Sequence, residues 1–293
     1  MKKRLTLTLN QDLSKNLVKT KADALVIGVN EGRVLNTISA TIDAATNGAI
    51  KKLIKRGEFE AKVGQASYIA TNDGVAAERI YLIGLGKSKK SLSNDDLDKI
   101  SSAITNSLSA KKSASGLISL PLSSYDTKDL NDSSFLQKLG TSLESRAYTY
   151  DAKLNKKNKS VNHLKKVSIS IESNESVAKL RKSLRVGQVI GQGMNVAKDL
   201  ANLPGNVCTP SYLASTSRSA ANKFEKLSCR VYGEKEMKKM GMDCLLSVGN
   251  GSAEESKLIS MTYQGGKKGD RPYAIVGKGI TFDTGGISLK PPA

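Results

Sequence analysis

The densest group of residues able to do chemistry lies near residue 280, where two lysines and one aspartate are set among glycines. An apolar run, Ile275-Val276, leads into Lys278, and Asp283 and Lys290 follow it after five and then seven further residues. Glycines allow close backbone approach and positive φ, so these charged side chains can converge instead of spreading into water. On residue types alone, the pattern fits an anion site, a metal site or a salt-bridged loop.

Two other glycine-containing segments follow apolar runs. Gly84-Leu85-Gly86 has the place of a phosphate-binding turn, but the third glycine of a dinucleotide fingerprint is missing and Lys87 follows instead. The second segment is Val248-Gly249-Asn250-Gly251-Ser252. At both places we expect an ordinary turn at the end of a strand.

The chain of 293 residues carries a net charge of +19, from 46 Lys and Arg against 27 Asp and Glu. Both halves are basic, so no single basic domain stands out. The densest basic run extends from Lys153 to Lys166, with no aromatic residue to stack on a nucleic-acid base. A solvated linker is the favoured interpretation of this run, and a phosphate-contacting patch is the alternative.

Cysteine and histidine usage narrows the function classes. Three cysteines, Cys208, Cys229 and Cys244, cannot form a fully paired disulfide framework, which favours a cytoplasmic chain with free thiols. The single histidine, His163, gives little support for a His-rich zinc site or a Ser-His-Asp triad. The chain has no run of about 18 apolar residues, so no membrane span is expected. Its N-terminus, MKKRLTLTLN, alternates Leu with Thr and predicts a strand instead of a signal peptide.

In the first half of the chain, short apolar runs alternate with amphipathic segments, which predicts an α/β fold with a largely parallel sheet. The predicted strands are Leu5–Leu9, Ala24–Val29, Ser67–Ala70, Ile80–Ile83 and Leu117–Leu120. One helix has an apolar face from Ile42 to Leu53 and stops at Gly57. A second carries a stripe from Leu97 to Leu108, and Ser93 with Asp96 predicts its N-terminal cap.

A polar, Lys- and Asn-rich stretch, 151–166, interrupts this alternation and is taken as a domain boundary. The longest helical pattern follows, from about Glu175 to Leu200, and Gly187 and Gly191 within it permit another backbone to approach closely. Thr209 and Pro210 predict the start of the next helix. The remaining expected elements are a helix ending at Gly241 and strands at Val167–Ile171, Cys229–Tyr232, Leu245–Val248, Leu258–Tyr263 and Tyr273–Val276.

The segment VGKGITFDTGGISLKP closely resembles the active-site signature of the leucyl aminopeptidase (cytosol aminopeptidase) family. Two further blocks are similar to the family, AKDLANLPGNVCTPSYLA and GMDCLLSVGNGSAEESKLISMTYQG, and the first half matches more loosely. The resemblance implies a macro-domain-like N-terminal α/β domain over 1–166, a linker strand and helix over 167–201, and the first part of an α/β aminopeptidase catalytic domain over 202–293.

The same resemblance implies roles for three residues. Lys278 would bind a metal ion through its neutral amine, Asp283 would ligate or bridge two divalent metal ions, and Lys290 would polarise the scissile carbonyl as a catalytic residue. A nearby dication disfavours the ammonium form of a lysine, whose ordinary pKa is about 10.4. The carboxylate is a hard oxygen ligand suited to Mn²⁺, Zn²⁺ or Mg²⁺, with Mn²⁺ or Zn²⁺ expected.

In relatives of this kind the remaining metal ligands lie downstream of the motif. Because a zinc site needs about three or four protein ligands, residues 1–293 alone are expected to have no peptidase activity. The function implied for the full-length family member is release of N-terminal amino acids, Leu-like ones preferred, from peptides in the cytoplasm by a homo-hexamer. Two alternatives stay open: a DNA-binding regulatory role for the basic surface, and a catalytically dead interaction module built on the N-terminal domain.

Overall fold

In a computed structural model, the chain forms two compact units, Met1–Val196 and Ala197–Ala293. The structure describes residues 5–32, 34–70, 74–88, 92–110, 113–121, 131–150, 163–267, 269–283 and 290. Most of the basic run between Lys153 and Lys166 lies outside the described residues.

The first unit is built on a six-stranded sheet with the order β1-β6-β5-β2-β4-β3. All neighbouring strands are parallel except β3, which runs antiparallel to β4. The strands are β1 Thr6–Leu9, β2 Ala24–Val29, β3 Ala66–Ala70, β4 Arg79–Gly84, β5 Ser115–Leu120 and β6 Lys166–Ile171. β2 lies near the centre, and all six of its residues are buried.

The two faces of this sheet are covered by different helices. Side chains alternate between the faces of a strand, so Ala24 and Val26 pack with α3, α4 and α5, whereas Leu25 and Ile27 pack with α1 and α2. The helices are α1 Thr37–Ala45, α2 Ala49–Lys55, α3 Asn94–Ser109, α4 Asp132–Arg146 and α5 Val177–Ala201, and a 3₁₀ helix spans Gln11–Asn16.

α4 and α5 approach closely because α5 has glycines where they meet. A Cβ added at Gly187 would lie 2.8 Å from the carbonyl carbon of Gln137, and one added at Gly191 would lie 2.7 Å from the Cβ of Glu144. Thr141 also donates a 3.1 Å hydrogen bond to the carbonyl oxygen of Gly187. The predicted close approach at these two glycines is therefore confirmed.

The second unit is smaller. Its elements are α6 Pro210–Ala221, β7 Leu227–Tyr232, α7 Glu234–Lys239, α8 Asp243–Gly249 and β8 Leu258–Tyr263. β7 and β8 form an antiparallel ribbon in which Cys229 faces Met261, and α6 packs on it. Thr209 caps α6 by accepting a hydrogen bond from the backbone of Tyr212, as the sequence predicts.

Several predicted elements differ from the structure. The first predicted helix is two helices, because Asn47 and Gly48 both have positive φ and break it. Leu245–Val248 was predicted as a strand and is wrong: these residues lie inside α8, since a four-residue apolar run suits either element. α4 lies in a segment for which the sequence pattern predicts no helix or strand.

The predicted strand at Tyr273–Val276 is also wrong, since the described residues there form no strand. The side chains of Tyr273, Ile275 and Val276 are almost fully exposed, at 101%, 97% and 96%. An apolar run becomes a strand only when a neighbour completes its hydrogen bonds, and no described segment does so. Val167–Ile171, assigned to a linker, belongs instead to β6, which pairs on both sides within the sheet of the first unit.

Candidate active site

Lys278 lies in the wall of a cavity of about 860 Å³ in the second unit. Pro210 and Leu213 of α6 contribute one side, and Cys244, Leu245 and Val248 of α8 contribute another. The turn after α8, the start of β8 and the segment 277–282 complete the lining. Because most of these side chains are apolar, the cavity suits an apolar group next to the lysine.

The segment that carries Lys278 is positioned by a glycine near the start of the second unit. A Cβ added at Gly205 would lie 2.9 Å from the carbonyl oxygen of Thr281 and 3.2 Å from the Cβ of Phe282. Gly205 therefore allows the segment leading to Asp283 to lie against the turn before α6.

Asp283 is paired with Lys290. The ammonium of Lys290 donates a 2.7 Å hydrogen bond to Oδ2 of Asp283, and the side chains are 59% and 56% exposed. An ion pair this exposed contributes about 0–1 kcal/mol to stability. The structure thus brings two of the three predicted residues together and places the third, Lys278, at the cavity.

Two acidic residues close to the cavity, Glu234 and Glu255, hold its rim through hydrogen bonds. Glu234 accepts a 2.8 Å hydrogen bond from the backbone of Ser256, and Glu255 accepts one of 3.1 Å from the backbone of Glu234. The hydrogen bond from Lys257 is the main reason that the pKa of Glu255 lies below its ordinary value. These contacts connect the start of α7 to the turn that lines the cavity.

The donor set in the described residues does not fit a complete two-metal centre. Among them, no three His, Cys, Asp or Glu side chains are placed so that they could hold a metal ion together. Lys278 and Asp283 are two candidate donors, and one Asp283 oxygen accepts a hydrogen bond from Lys290. A structural or catalytic divalent site uses about three or four protein ligands.

Family comparison gives these residues a context. Residues 26–157 match the N-terminal domain of the cytosol aminopeptidase family, and residues 195–293 match its catalytic domain. The chain belongs to the cytosol aminopeptidase family. This confirms the resemblance seen in the sequence.

Curated relatives agree with this assignment. The probable cytosol aminopeptidase of Alkalilimnicola ehrlichii is 39% identical over 285 residues, which is 96% of this chain and 56% of the relative. That of Pseudomonas syringae pv. tomato is 36% identical over 273 residues, which is 93% of this chain and 54% of the relative. The chain therefore spans about half the length of the curated relatives it matches.

Solved structures confirm the fold. A tomato leucine aminopeptidase mutant superimposes with a TM-score of 0.75 at 18% identity, over 96% of this chain and 55% of the other. The bottromycin maturation enzyme BotP in complex with Mn gives a TM-score of 0.65 at 24% identity, over 92% of this chain and 50% of the other. The predicted architecture, an N-terminal α/β domain followed by part of a catalytic domain, is confirmed.

The glycine turn at Gly84-Leu85-Gly86 is an ordinary turn. The backbone N–H of Gly84 donates to Gln65 and that of Gly86 donates to Ala61, so neither is available to a phosphate. The second glycine segment, Val248–Ser252, begins in the last turn of a helix instead of after a strand, and it lines the cavity. No sequence signal identified that cavity, because its wall is formed by α8, which had been predicted as a strand.

Two further observations concern the cysteines and the helices of the described residues. All three cysteines are free, with Cys208 buried, Cys229 partly buried and Cys244 exposed. No helix in the described ranges combines the length and apolar character needed to cross a membrane.

Proposed function

We propose that this chain carries the N-terminal domain and the opening part of the catalytic domain of a metal-dependent aminopeptidase. The observation that supports it most strongly is the catalytic-domain match over residues 195–293, which contains Lys278, Asp283 and Lys290. In this proposal the enzyme releases N-terminal amino acids from peptides.

Lys278 and Asp283 are proposed as two ligands of a divalent metal site, with Mn²⁺ or Zn²⁺ as the ion. A lysine binds a cation only as the neutral amine, whereas the aspartate provides an anionic oxygen. Lys290 is proposed as the catalytic cation that stabilises negative charge on the substrate carbonyl oxygen. Its ammonium lies 2.7 Å from Oδ2 of Asp283, so it is close to the proposed ligand.

A Leu-like preference is proposed from the cavity lining. Leu213, Leu245 and Val248 face the same cavity as Lys278. Full burial of a leucine side chain is favourable by about 1.5–3 kcal/mol, so contact with these residues favours a Leu-like side chain.

Residues 1–293 alone are proposed to be inactive, since two donors hold a divalent ion too weakly for turnover. For the complete enzyme we propose cytoplasmic localisation and a homo-hexamer, in line with the family resemblance. Its catalytic part is proposed to begin at residue 202.

Leu-p-nitroanilide hydrolysis tests the proposal. The substrate is offered with Mn²⁺ to residues 1–293 and to a full-length chimaera, in which the A. ehrlichii relative provides the rest of the catalytic domain. We expect turnover by the chimaera only, and a Lys290→Met change to reduce its kcat by about 10²–10³. Clear turnover by residues 1–293 would show that the described donors suffice and would overturn the proposed division of the site.

The net charge of +19 supports a second candidate function, DNA binding. Phosphate contacts by Lys and Arg weaken steeply as salt rises. Gel shifts of residues 1–293 with duplex DNA at graded salt test this. Absence of binding at low salt, or binding that salt does not weaken, counts against it.

A further inference from the structure

The sheet of the first unit has an open edge at β1, beside a small cationic cavity. Among the residues that the structure describes, β1 pairs with β6 alone. A cavity of about 370 Å³ lies along it, lined by Leu7, Thr8 and Leu9 of the strand and by Arg181, Leu184, Arg185 and Gln188 of α5. This cavity is in the first unit and involves none of the residues proposed for catalysis.

The backbone of β1 has hydrogen-bonding groups left over at this edge. Thr6 and Asn10 donate their backbone N–H groups toward β6. The acceptors are the carbonyl oxygens of Lys165, just before that strand, and of Ile169 within it. Since backbone groups alternate in direction along a strand, those of Leu7 and Leu9 face away from β6. No described donor or acceptor pairs with these groups of Leu7 and Leu9.

The carbonyl oxygen of Leu5, which also faces away from β6, already has a hydrogen-bond donor. Nε2 of Gln188 donates to the carbonyl oxygen of Leu5 at 2.8 Å, just before β1 begins. The same amide group donates to the buried carboxylate of Glu144 at 3.1 Å, and its oxygen accepts from Arg185 at 3.0 Å. Gln188 therefore satisfies the edge at Leu5 and holds Arg185 beside the next residues of the strand.

The charge at this cavity is positive. Arg181 and Arg185 are exposed, and within the described part of the chain no carboxylate forms an ion pair with either. A second copy of this edge would bring like charges together, so pairing between two β1 strands is disfavoured.

We propose that β1 binds an extended acidic segment of a partner protein, which adds to the sheet as a seventh strand. The free groups of Leu7 and Leu9 would hydrogen-bond its backbone, as in other cases of strand addition. Arg181 and Arg185, one helical turn apart with Cβ atoms about 6 Å from each other, would bind two of its carboxylates.

The spacing of the arginines specifies the sequence pattern of the partner. Alternate residues of a strand lie about 6.7 Å apart on one face, close to the distance between the two arginines. The segment should thus carry Glu or Asp at every second position, on the face toward α5, while the residues between them point to the opposite face of the added strand.

Peptide binding to residues 1–293 tests the proposal. The probe is acetyl-Thr-Glu-Val-Glu-Val-Thr-amide with a fluorescent label, compared by anisotropy with a peptide that has Lys in place of Glu and with an N-methylated version. We expect the acidic peptide to bind at least about tenfold more tightly than either. Hydrogen exchange at the amides of Leu7 and Leu9 should slow when it binds.

Charge-reversal variants test whether Arg181 and Arg185 bind the acidic peptide. Arg185→Glu and Arg181→Glu should each weaken acidic-peptide binding about tenfold. Lys182→Glu makes the same charge change on an exposed residue of α5 outside the cavity lining and should leave binding within about twofold. Circular dichroism checks that each variant is folded.

Three results would overturn the proposal. The Lys peptide could bind as tightly as the Glu peptide, which removes charge recognition. The N-methylated peptide could bind as tightly as its parent, which shows a surface anion site without strand addition. Exchange at Leu7 and Leu9 could slow with protein concentration in the absence of peptide, which identifies the occupant as a second copy of this chain.

Discussion

The packing of α5 on α4 gives a sharp test of the fold, because two glycines in one helix have opposite surroundings. At Gly187, an added Cβ would meet backbone atoms of Gln137, with its carbonyl carbon at 2.8 Å and its Cα at 2.9 Å. At Gly193, six residues further along, an added Cβ would meet nothing within 4 Å. The change Gly→Ala at each position therefore adds the same methyl group to contrasting sites.

The expected magnitudes follow from these distances. Ordinary carbon contacts begin near 3.5 Å, so Gly187→Ala must push the two helices apart by roughly 1 Å. Overpacking of this kind costs up to about 3 kcal/mol, and the higher helix propensity of Ala returns about 1 kcal/mol. We expect Gly187→Ala to lower the free energy of unfolding by about 2 kcal/mol and Gly193→Ala to raise it by up to about 1 kcal/mol.

Urea unfolding followed by circular dichroism measures both changes, and the Gly187→Ala variant should also melt about 6 °C lower. Equal stability of the two variants would refute the close helix contact at Gln137. Stabilisation by Gly187→Ala would refute it more strongly, since only an open site returns the full propensity gain.

Three further predictions concern the first unit. Ser93→Ala removes the oxygen that accepts from the backbone of Asp96 at 3.1 Å and should cost about 1 kcal/mol in urea unfolding; Ser102→Ala, on the exposed side of the same helix, is the control, and an equal loss there would contradict the cap. Tyr81→Phe removes a buried hydroxyl with no described partner and should raise the free energy of unfolding by about 1 kcal/mol; a loss of that size would show that the hydroxyl is hydrogen-bonded. Burial is the main cause that raises the pKa of Asp132 above 3.8, so the native state binds the proton more tightly than the unfolded chain and loses stability as pH rises through this range. Asp132→Asn should therefore gain stability relative to the parent as pH rises from about 4 to 7 in urea titrations. If the difference in free energy of unfolding fell with pH instead, folding would lower the pKa of Asp132.

Much of the first unit could be predicted from the sequence because local signals and tertiary structure agree there. Ser93 and Asp96 form the predicted capping box, and Gly57 has the predicted positive φ. The buried strands are continuous apolar runs, as expected for a parallel sheet covered on both faces. α4 was missed because its amphipathic pattern begins only after a polar stretch.

The second unit was harder to predict because its short apolar runs fit more than one element. Leu245–Val248 has four apolar or small residues in a row, which fits a helix or a strand. In the structure this run is helical, and the backbone N–H of Leu246 donates to the carbonyl oxygen of Met242. The residues around Lys278 could be identified from their motif, whereas the cavity beside them depends on the packing of α6, α8 and the 277–282 segment. No sequence pattern predicts that packing.

The open edge at β1 also could not be predicted from the sequence. Leu5–Leu9 is readily predicted as a strand, but its place at the end of the sheet depends on the strand order. The approach of Arg181 and Arg185 to it depends on how α5 crosses the sheet. Local sequence patterns predict neither the strand order nor the path of α5.

Lys278 and Asp283 are proposed as metal ligands in an aminopeptidase site. The most direct measurement is Mn²⁺-dependent hydrolysis of Leu-p-nitroanilide by the full-length chimaera and its Lys278→Met and Asp283→Asn variants. Lys226→Met and Asp270→Asn, on exposed residues of the same unit, serve as matched controls. We expect the first two variants to fall to background turnover while remaining folded, and the controls to keep parental turnover. Parental turnover by Lys278→Met or Asp283→Asn would contradict it.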